Sequence, residues 1–391
     1  MAAIQQLLLL STLGAWRLLG GFTSVMRIAV LGTRGIPANY GGFETFAQEL
    51  SVRLVQRGHH VTVYCRRANY PEPLEEYRGV QLVTLPTIHT KSLDTLSHAF
   101  LSSLHVLGRG IDIALYCNSA TSCFAWLPRL RGAKVVMNPD GLEWERAKWG
   151  WAGKAFYKLS EHLAARFPHR LVSDSHVIQE YYQEKFGCPS DYAAYGADIV
   201  ERGTDRELLA EFGVEPERYF LFVSRLEPEN NAHLVVEAFE HVKTDMNLLM
   251  VGSAPFADDY IRKLTNTSDK RIIFPGALYG ETYRALQANA YVYVNAMEVG
   301  GTHPAILEAM GAGNCVLVSD IAYNVEAVAE AGVQFRSKDA EDCRKKMQWL
   351  ADNPGEVSRF RARAAERAQT QFNWDDVVSQ YEKIFERLIT T

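Results

Sequence analysis

The 391-residue chain lacks an excess of positive charge, since its 41 Lys and Arg residues are outnumbered by 46 Asp and Glu, and the net charge is −5. Nucleic-acid-binding domains are usually basic with clustered Lys and Arg, so this balance argues against a nucleic-acid partner. The six cysteines show no CxxC spacing, and several lie in strand-like runs such as VTVYC and IALYC. They indicate reduced core thiols of a cytosolic protein and argue against a disulfide framework or a zinc site.

Long hydrophobic runs are also scarce. The apolar segment of residues 1–25 has its central run at residues 7–10, which is too short to span a bilayer. It carries Arg17 and lacks the basic first region of a signal peptide. Three interpretations stay open: a start site placed upstream of Met26, a helix on the membrane surface, or a weak anchor. The first fits the fact that MRIAVLG, from Met26 onward, is itself a complete opening strand.

No standard dinucleotide or triphosphate motif follows that strand. A dinucleotide site needs GxGxxG and an acid at the end of the second strand, but that strand ends in YCRR. NAD is therefore disfavoured, although Arg66 or Arg67 could accept the extra phosphate of NADP, and no GKS or GKT forms a P-loop. What remains is the pair Gly41 and Gly42, whose helix start could hold a phosphate through free amides and the helix dipole. The alternative is that these glycines only make a tight turn.

Short apolar strands alternate with helix-length segments over two stretches of the chain, which predicts βαβ units and two parallel sheets. The polar, strand-poor segment 197–217 separates the stretches. We therefore predict an α/β protein with two Rossmann-like domains, residues 26–200 and 201–373, whose sheets face each other across a cleft. The amphipathic helix 374–391 is expected to pack back on the N-terminal domain. A cleft between two carboxyl strand edges suits a ligand with two ends, such as a sugar nucleotide.

A second glycine-rich helix start, EVGGTHPAILEAMGAG, lies in the second domain. The glycine pair 300–301 follows a strand, Thr302 or His303 can cap the helix, and Pro304 suits the first helical position. The amides could hold phosphate while Glu308, about one turn into the helix, accepts hydrogen bonds from ribose hydroxyls. The alternative is an ordinary exposed glutamate, although its sequence neighbours are apolar.

Residues 140–158 combine acids, aromatics and cations. Asp140 and Glu143 follow a strand and could hydrogen-bond acceptor or donor hydroxyls. The aromatic residues interleave with basic ones, which suits an anionic membrane surface or a prenyl-diphosphate acceptor. The alternative is a helix with a buried aromatic face and a solvated basic face. These residues are Trp144, Trp149, Trp151 and Phe156, together with Arg146, Lys148, Lys154 and Lys158.

Four motifs carry a resemblance to a known family. GTRGIPANYGGFE, NPDGLEWERAKW, SRLEPENN and GGTHPAILEAMGAG occur in this order within residues 26–391. They resemble glycosyltransferase family 4 enzymes of the GT-B fold, and among these the bacterial rhamnosyltransferase-like branch that begins GTRGIPxxYGGFE. The resemblance implies a retaining, metal-independent hexosyltransferase that needs no cofactor beyond a nucleotide-diphosphate sugar as co-substrate.

The resemblance also implies roles for individual residues. The candidate catalytic residues are Arg225, which would neutralise the diphosphate, Glu298 and Asp140. The donor-binding set, in which the loop 274–278 seats the base, is Gly41, Gly42, Asn230, Phe274, Leu278, Gly301, Thr302, His303 and Glu308. The acceptor and membrane set, which rests on the chemistry of residues 140–158 and not on the resemblance, is Glu143, Trp144, Lys148, Trp149 and Trp151. Two positions depart from the family pattern: Asn230 replaces the usual lysine, and Gly300 replaces the first glutamate of a spaced pair, with Glu298 two positions away.

The resulting expectation is an enzyme that moves a sugar to a lipid-linked or saccharide acceptor during assembly of a cell-surface polysaccharide. The candidate donor is dTDP-rhamnose. The protein is expected in the cytoplasm, in peripheral contact with the inner face of the plasma membrane. Two rival functions share the architecture: a sugar-nucleotide 2-epimerase, which needs no acceptor, and a non-catalytic protein that binds a nucleotide sugar.

Overall fold

Two open sheets organise the part of the chain that the computed structural model describes, residues 25–90, 93–203, 206–254 and 257–390. The predicted α/β architecture with two parallel sheets is confirmed. The apolar segment at the start, residues 1–24, lies outside the described residues, so its three interpretations stay predictions.

The first sheet has eight strands and lies between residues 27 and 192. They are β1 (Arg27–Leu31), β2 (His60–Arg66), β3 (Glu76–Tyr77), β4 (Val80–Leu85), β5 (Ile113–Cys117), β6 (Lys134–Asn138), β7 (Arg170–Ser173) and β8 (Ser190–Tyr192). The order across the sheet is β3-β4-β2-β1-β5-β6-β7-β8, and only the β3–β4 pair is antiparallel. The central strand β5 is buried along its whole length, as expected for a parallel sheet covered on both faces.

The second sheet has six strands, all parallel, between residues 219 and 335. They are β9 (Tyr219–Val223), β10 (Asn247–Val251), β11 (Ile272–Gly276), β12 (Val292–Asn295), β13 (Cys315–Ser319) and β14 (Val333–Phe335). Their order is β11-β10-β9-β12-β13-β14. The edge strands β3, β8 and β14 have only two or three residues and were not predicted, because a strand is recognised in a sequence from a run of four to eight residues.

Helices cover both faces of the sheets. The helices between the first and last strands are α1 (Gly42–Gln56), α2 (Asp94–Val106), α3 (Trp151–Ala164), α4 (His176–Phe186), α5 (Arg206–Ala210), α6 (Ala232–Glu240), α7 (Asp258–Leu264), α8 (Gly280–Asn289), α9 (Pro304–Gly311) and α10 (Ala322–Val328). Three more follow β14: α11 (Ala340–Asp352), α12 (Pro354–Gln371) and α13 (Trp374–Thr390). Among the helices described, none is both long enough and apolar enough to cross a membrane.

All six cysteines are free thiols, but they are not all in the core. Four are buried, whereas Cys123 and Cys188 are partly exposed. Cys123 lies in a short 3₁₀ helix on the surface of the first domain, and Cys188 follows the end of α4. The prediction of core thiols is therefore wrong for these two.

The C-terminal helix returns to the first domain. The chain crosses between the domains twice, once near Ala197 and once near Phe372, just before this helix. The two crossings are adjacent, because the Ala197 amide donates to the Phe372 carbonyl at 2.7 Å. Helix α13 then lies on α1, where the rings of Tyr381 and Phe46 are 5.4 Å apart. Its buried face holds Trp374, Val378, Tyr381 and Phe385.

Truncating the buried face of α13 should destabilise the protein through lost packing with the first domain. Phe385 is fully buried, so Phe385→Ala should lower the free energy of unfolding by about 3–5 kcal/mol, measured by urea denaturation. Lys383→Ala, on the exposed side of the same helix, is the matched control and should change it by less than about 0.5 kcal/mol. Equal effects of the two variants would contradict this packing.

Candidate functional site

Two helix starts, one from each domain, lie in contact. Helix α1 begins at Gly42 and α9 begins at Pro304, and a Cβ built on Gly42 would lie 2.6 Å from Pro304 Cγ. Only glycine therefore allows this approach. Because a helix start presents unpaired amides and the positive end of the helix dipole, the contact brings together the two anion-binding elements predicted from the sequence.

The backbones of the two domains also touch directly. A Cβ on Gly141, in the loop after β6, would lie 1.9 Å from the carbonyl carbon of Gly300, in the turn before α9. Gly300 itself has a φ of 143°, which residues with side chains rarely adopt. The glutamate that the family resemblance implies would have to adopt this strained backbone conformation here. The departure at Gly300 therefore fits the local backbone.

Arg225 lies just after β9, close to the start of α1. Its Nη1 is 3.6 Å from Glu227 Oε2, and its side chain is hydrogen-bonded to Tyr40, the residue before Gly41. Burial lowers the pKa of Arg225, but Glu227 and Tyr40 outweigh this effect and raise it above its usual range. The guanidinium therefore stays charged and lies next to the glycine pair.

Asn230 and Glu298 are held by neighbours rather than projecting freely. The Asn230 side chain is buried and its Nδ2 donates to the Arg225 carbonyl at 2.6 Å. Glu298 accepts a hydrogen bond from Asn231 Nδ2, and its Oε2 is 2.9 Å from Lys338 Nζ. Asn230 thus supports the backbone of Arg225, while Lys338, which the sequence analysis missed, supplies a cation beside Glu298.

Glu308 lies on α9 and is oriented by a residue from another helix. Its Oε2 accepts a hydrogen bond from the hydroxyl of Tyr283, on α8. Burial raises the pKa of the Glu308 carboxyl, and the Tyr283 hydrogen bond opposes that effect. The side chain is only partly exposed, so the alternative of an ordinary solvent-facing glutamate is wrong. Tyr283 could not be found from the α9 motif because it lies 25 residues away along the chain.

The loop predicted to seat the base follows β11. Phe274 and Leu278 are partly buried and pack against two different core clusters. Tyr279, which the sequence analysis missed, is about half exposed. Partial burial raises its pKa, and the nearby Tyr40 hydroxyl raises it further. The exposed ring of Tyr279 therefore lies near the start of α1.

The predicted capping of α9 by Thr302 or His303 is wrong. His303 occupies the cap position, but its side chain makes no capping hydrogen bond, and Nδ1 lies 2.8 Å from Asn324 Oδ1. Burial lowers the pKa of His303. The Thr302 hydroxyl donates instead to the Asp174 carbonyl at 3.0 Å, across the domain boundary. Both side chains and the tightly packed Gly301 therefore fix the turn before α9 in place.

Asp140 and Glu143 lie in the loop after β6 in contrasting environments. Burial and the neighbouring Glu143 carboxylate raise the pKa of Asp140 to about 6. Burial also acts to raise the pKa of Glu143, but Arg146 and Lys148 lower it overall, and Arg146 Nε donates to Glu143 Oε1 at 2.6 Å. Asp140 is thus the carboxyl of the pair that titrates near neutral pH.

Opposite charges face each other across the cleft. Arg146 Nη1 is 3.9 Å from carboxylate oxygens of both Glu227 and Glu229, and Lys148 Nζ is 3.8 Å from Glu227. The cations come from the first domain and the acids from the second. No group of three His, Cys, Asp or Glu side chains suited to a metal ion occurs within the ranges described.

The aromatic segment is not one continuous surface. Trp144 is partly buried beneath the Lys158 ammonium, which lies 4.6 Å from its ring centroid. Trp149 is also partly buried and packs on Tyr157 with ring centroids 5.1 Å apart. Trp151, at the start of α3, is 86% exposed. Trp144 and Trp149 therefore pack against their own domain, and of these three tryptophans Trp151 is the most exposed.

Comparison with known proteins agrees with an arrangement of two domains, each built on one of the two sheets. Residues 41–195 match the family model described as "Glycosyl transferase 4-like domain", and residues 217–353 match the one described as "Glycosyl transferases group 1". Together the two models cover most of the chain, one over each sheet. Both halves of the chain thus match glycosyltransferase models, and the chain belongs to the glycosyltransferases. This glycosyltransferase is 22% identical over 252 residues to the uncharacterized glycosyltransferase MJ1069 of Methanocaldococcus jannaschii. That match covers 61% of each protein.

Solved structures share the fold of this glycosyltransferase. Sucrose-phosphate synthase from Thermosynechococcus elongatus superposes with a TM-score of 0.78 at 16% identity, over 93% of this chain and 99% of that one. Anabaena HepE in complex with UDP-glucose gives 0.76 at 16% identity, over 93% and 100%. WaaG, a glycosyltransferase involved in lipopolysaccharide biosynthesis, gives 0.68 at 16% identity, over 92% and 99%. The predicted GT-B fold is confirmed.

Removing the Glu308 carboxylate should weaken binding of the donor nucleotide if it accepts hydrogen bonds from ribose. Glu308→Ala should lose about 1.5–3 kcal/mol of affinity for UDP or dTDP, whereas Glu308→Gln, which keeps an acceptor oxygen, should lose less. The measurement is titration calorimetry. Glu281→Ala, an exposed acid on the neighbouring helix α8, is the matched control. An unchanged affinity in Glu308→Ala would remove this residue from the donor site.

Proposed function

We propose that the protein is a retaining, metal-independent hexosyltransferase that uses a nucleotide-diphosphate sugar, with dTDP-rhamnose as the candidate donor. Its acceptor is a lipid-linked saccharide, and the reaction belongs to the assembly of a cell-surface polysaccharide. The choice of rhamnose rests on the resemblance of GTRGIPANYGGFE to the rhamnosyltransferase-like branch. The place in polysaccharide assembly is supported by the likeness to WaaG, which is involved in lipopolysaccharide biosynthesis.

The observation that carries this proposal is the contact between the α1 and α9 helix starts, with Arg225 beside them. Amides from both domains and a permanent cation converge there, which suits a diphosphate. In the proposed donor complex Gly41 and Gly42 provide the amides of the first domain, and Gly301 lies in the turn that leads into the second helix start. HepE, which shares the fold, is a protein solved with UDP-glucose, and this supports a nucleotide-sugar donor here.

Transfer would depend on stabilising the leaving diphosphate. The bond from the anomeric carbon to the phosphate oxygen breaks, and the acceptor hydroxyl forms its new bond on the same face of the sugar. The hydroxyl proton passes to the departing phosphate oxygen. Arg225 and the helix-start amides hold the charge that develops on that phosphate. Glu308 holds the ribose, and Asp140, ionised above a pH of about 6, accepts a hydrogen bond from a substrate hydroxyl.

Two rival functions use the same geometry. A 2-epimerase would bind and isomerise the nucleotide sugar without an acceptor, and a sensor would bind it without reaction. The acidic and aromatic loop after β6 favours transfer, because its Gly141 contacts the turn before α9 and the neighbouring Asp140 and Glu143 could bind acceptor hydroxyls there.

Purified protein should transfer label from dTDP-rhamnose to material in a bacterial membrane extract, and Arg225→Ala should lower that rate by about 10²–10³. The reason is the loss of the charge that stabilises the leaving diphosphate. Labelled UDP-glucose is tested in parallel, and the products are separated with and without extract.

The matched control is Arg218→Ala, at the opposite end of β9, where the arginine is exposed and pairs with Asp245. It should keep the wild-type rate. Isomerised nucleotide sugar without extract would identify an epimerase, and binding without conversion would identify a sensor. Near-normal transfer by Arg225→Ala would exclude this residue from the site.

Peripheral membrane contact is proposed for the outer side of α3. Trp151 is almost fully exposed there, and the same helix carries Leu159, also exposed, with Lys154 and Lys158. Residues 26–391 alone should therefore sediment with vesicles containing phosphatidylglycerol but not with neutral vesicles. Salt should weaken binding, because each lysine near an anionic surface contributes roughly 1 kcal/mol. Trp151→Ser should reduce the bound fraction.

Trp349→Ser is the matched control for vesicle binding, since Trp349 is a partly exposed tryptophan on α11 of the other domain. It should bind vesicles as the wild type does. Binding by the full chain but not by residues 26–391 would show that the N-terminal segment is the anchor. Loss of binding in both tryptophan variants alike would contradict a specific role for α3.

A further inference from the structure

The segment after β7 is held by the second domain through four hydrogen bonds. Asp174 Oδ2 accepts the Thr302 amide at 2.8 Å, and the Asp174 carbonyl accepts the Thr302 hydroxyl at 3.0 Å. Glu326, on α10, accepts the amides of His176 at 2.7 Å and Val177 at 3.1 Å. The start of α4 in the first domain is therefore tied directly to the second domain.

The Asp174 carboxyl fits closely against the turn before α9. It is 1% exposed, and a Cβ on Gly301 would lie 2.6 Å from its Oδ2. Its other oxygen, Oδ1, is buried and has no hydrogen-bond partner within the part of the chain that the structure covers. Burying a carboxyl with only one oxygen hydrogen-bonded costs folding free energy, so such a group is expected only where its position is needed.

We propose that Asp174 is a positioning residue for sugar transfer: its carboxyl holds the turn 300–302 of the donor side against the first domain and thereby keeps the α9 start beside the α1 start. This role rests on the proposed function of the cleft as a nucleotide-sugar site. Asp174 acts through Thr302 and Gly301 and does not itself contact the reacting groups. Its removal should therefore leave the two half-sites intact but fail to bring them together.

Asp174 performs this role as a neutral acid. Burial and the Asp140 carboxylate raise its pKa to about 8. The titratable groups that face it are Asp140, Glu326, Tyr192, Tyr195, Tyr323 and Tyr381. In an open cleft the carboxyl is hydrated and has an ordinary pKa near 4. Because the pKa is higher in the closed arrangement, closure loses stability as the pH rises from about 4, and none of this contribution remains above about 8.

Three variants of the full chain test the role. Asp174→Ala removes the acceptor, Asp174→Asn keeps an acceptor oxygen but cannot ionise, and Ser175→Ala is the matched control. The Ser175 hydroxyl accepts the Ile178 amide at 3.2 Å within the same helix start, so it reports on α4 alone. Asp174→Ala should lower kcat about tenfold or more, as expected for loss of coupling between two half-sites, while Ser175→Ala keeps it within about twofold.

The pH profile separates positioning from general stability. Wild-type kcat should fall as the pH rises from 6 towards about 8 and level off above it, and Asp174→Asn should keep near-wild-type kcat at pH 6 and lack that fall. Equal kcat values in Asp174→Ala and Ser175→Ala would overturn the proposal. So would an Asp174→Asn variant that is as impaired at pH 6 as Asp174→Ala.

A third measurement does not depend on transfer. If the wild type transfers sugar from none of the donors, the proposed function fails, but closure can still be followed by small-angle X-ray scattering. The wild type should be compact at pH 6 and expand at pH 9, and Asp174→Ala should be expanded at both. Identical scattering from the wild type and Asp174→Ala at pH 6 would overturn the positioning role.

Discussion

Glycine residues lie where the backbones of the two domains approach each other closely, and the functional arrangement depends on these glycines. Gly42 lies against Pro304, Gly141 against Gly300, and Gly301 against Asp174. An added Cβ would clash with backbone atoms at the contact between Gly141 and Gly300, and with the Pro304 ring and the Asp174 carboxyl at the other two. Because the proposed phosphate-binding elements are backbone amides, they can work together only if the backbones themselves approach each other. Sterics at these few positions therefore control the electrostatics of the whole cleft.

In the cleft, the positive charges of three cations are partly balanced by one neighbouring carboxylate. Glu227 of the second domain lies within 4 Å of Arg225, Arg146 and Lys148, two of which come from the first domain. A diphosphate entering the cleft would compete with Glu227 for these cations. The absence of the usual lysine at Asn230 is then less costly than the sequence suggests, since Arg146 and Lys148 bring positive charge from the opposite side.

Patterns confined to a short stretch of sequence were predicted well. The parallel strands and the helix starts at Gly42 and Pro304 follow from apolar runs and glycine or proline positions, which act locally, whereas the GT-B fold was expected from the resemblance of four motifs to family 4 glycosyltransferases. Features that depend on residues far apart could not be predicted. Tyr283 reaches Glu308 from another helix, Lys338 reaches Glu298 from the turn after β14, and Asp174 reaches Thr302 from the other domain.

Side-chain direction was the other source of error. Trp144, Trp149 and Trp151 look equivalent in sequence, but only Trp151 faces solvent, because packing against Tyr157 and under Lys158 turns the other two inward. The assumed caps of α9 failed for a similar reason. Thr302 and His303 have better-placed partners in Asp174 and Asn324, and a side chain engaged elsewhere cannot cap its own helix.

The paired chain crossings at Ala197 and Phe372 have a mechanical consequence. The two covalent connections lie side by side and share a hydrogen bond. Sliding or twisting one domain past the other would stretch at least one connection, so together they act as a hinge. The easy motion left is a rotation about the line through both crossings. Such a rotation moves the far rim of the cleft most and the hinge side least, so a bound molecule would enter and leave at the rim farthest from the two crossings.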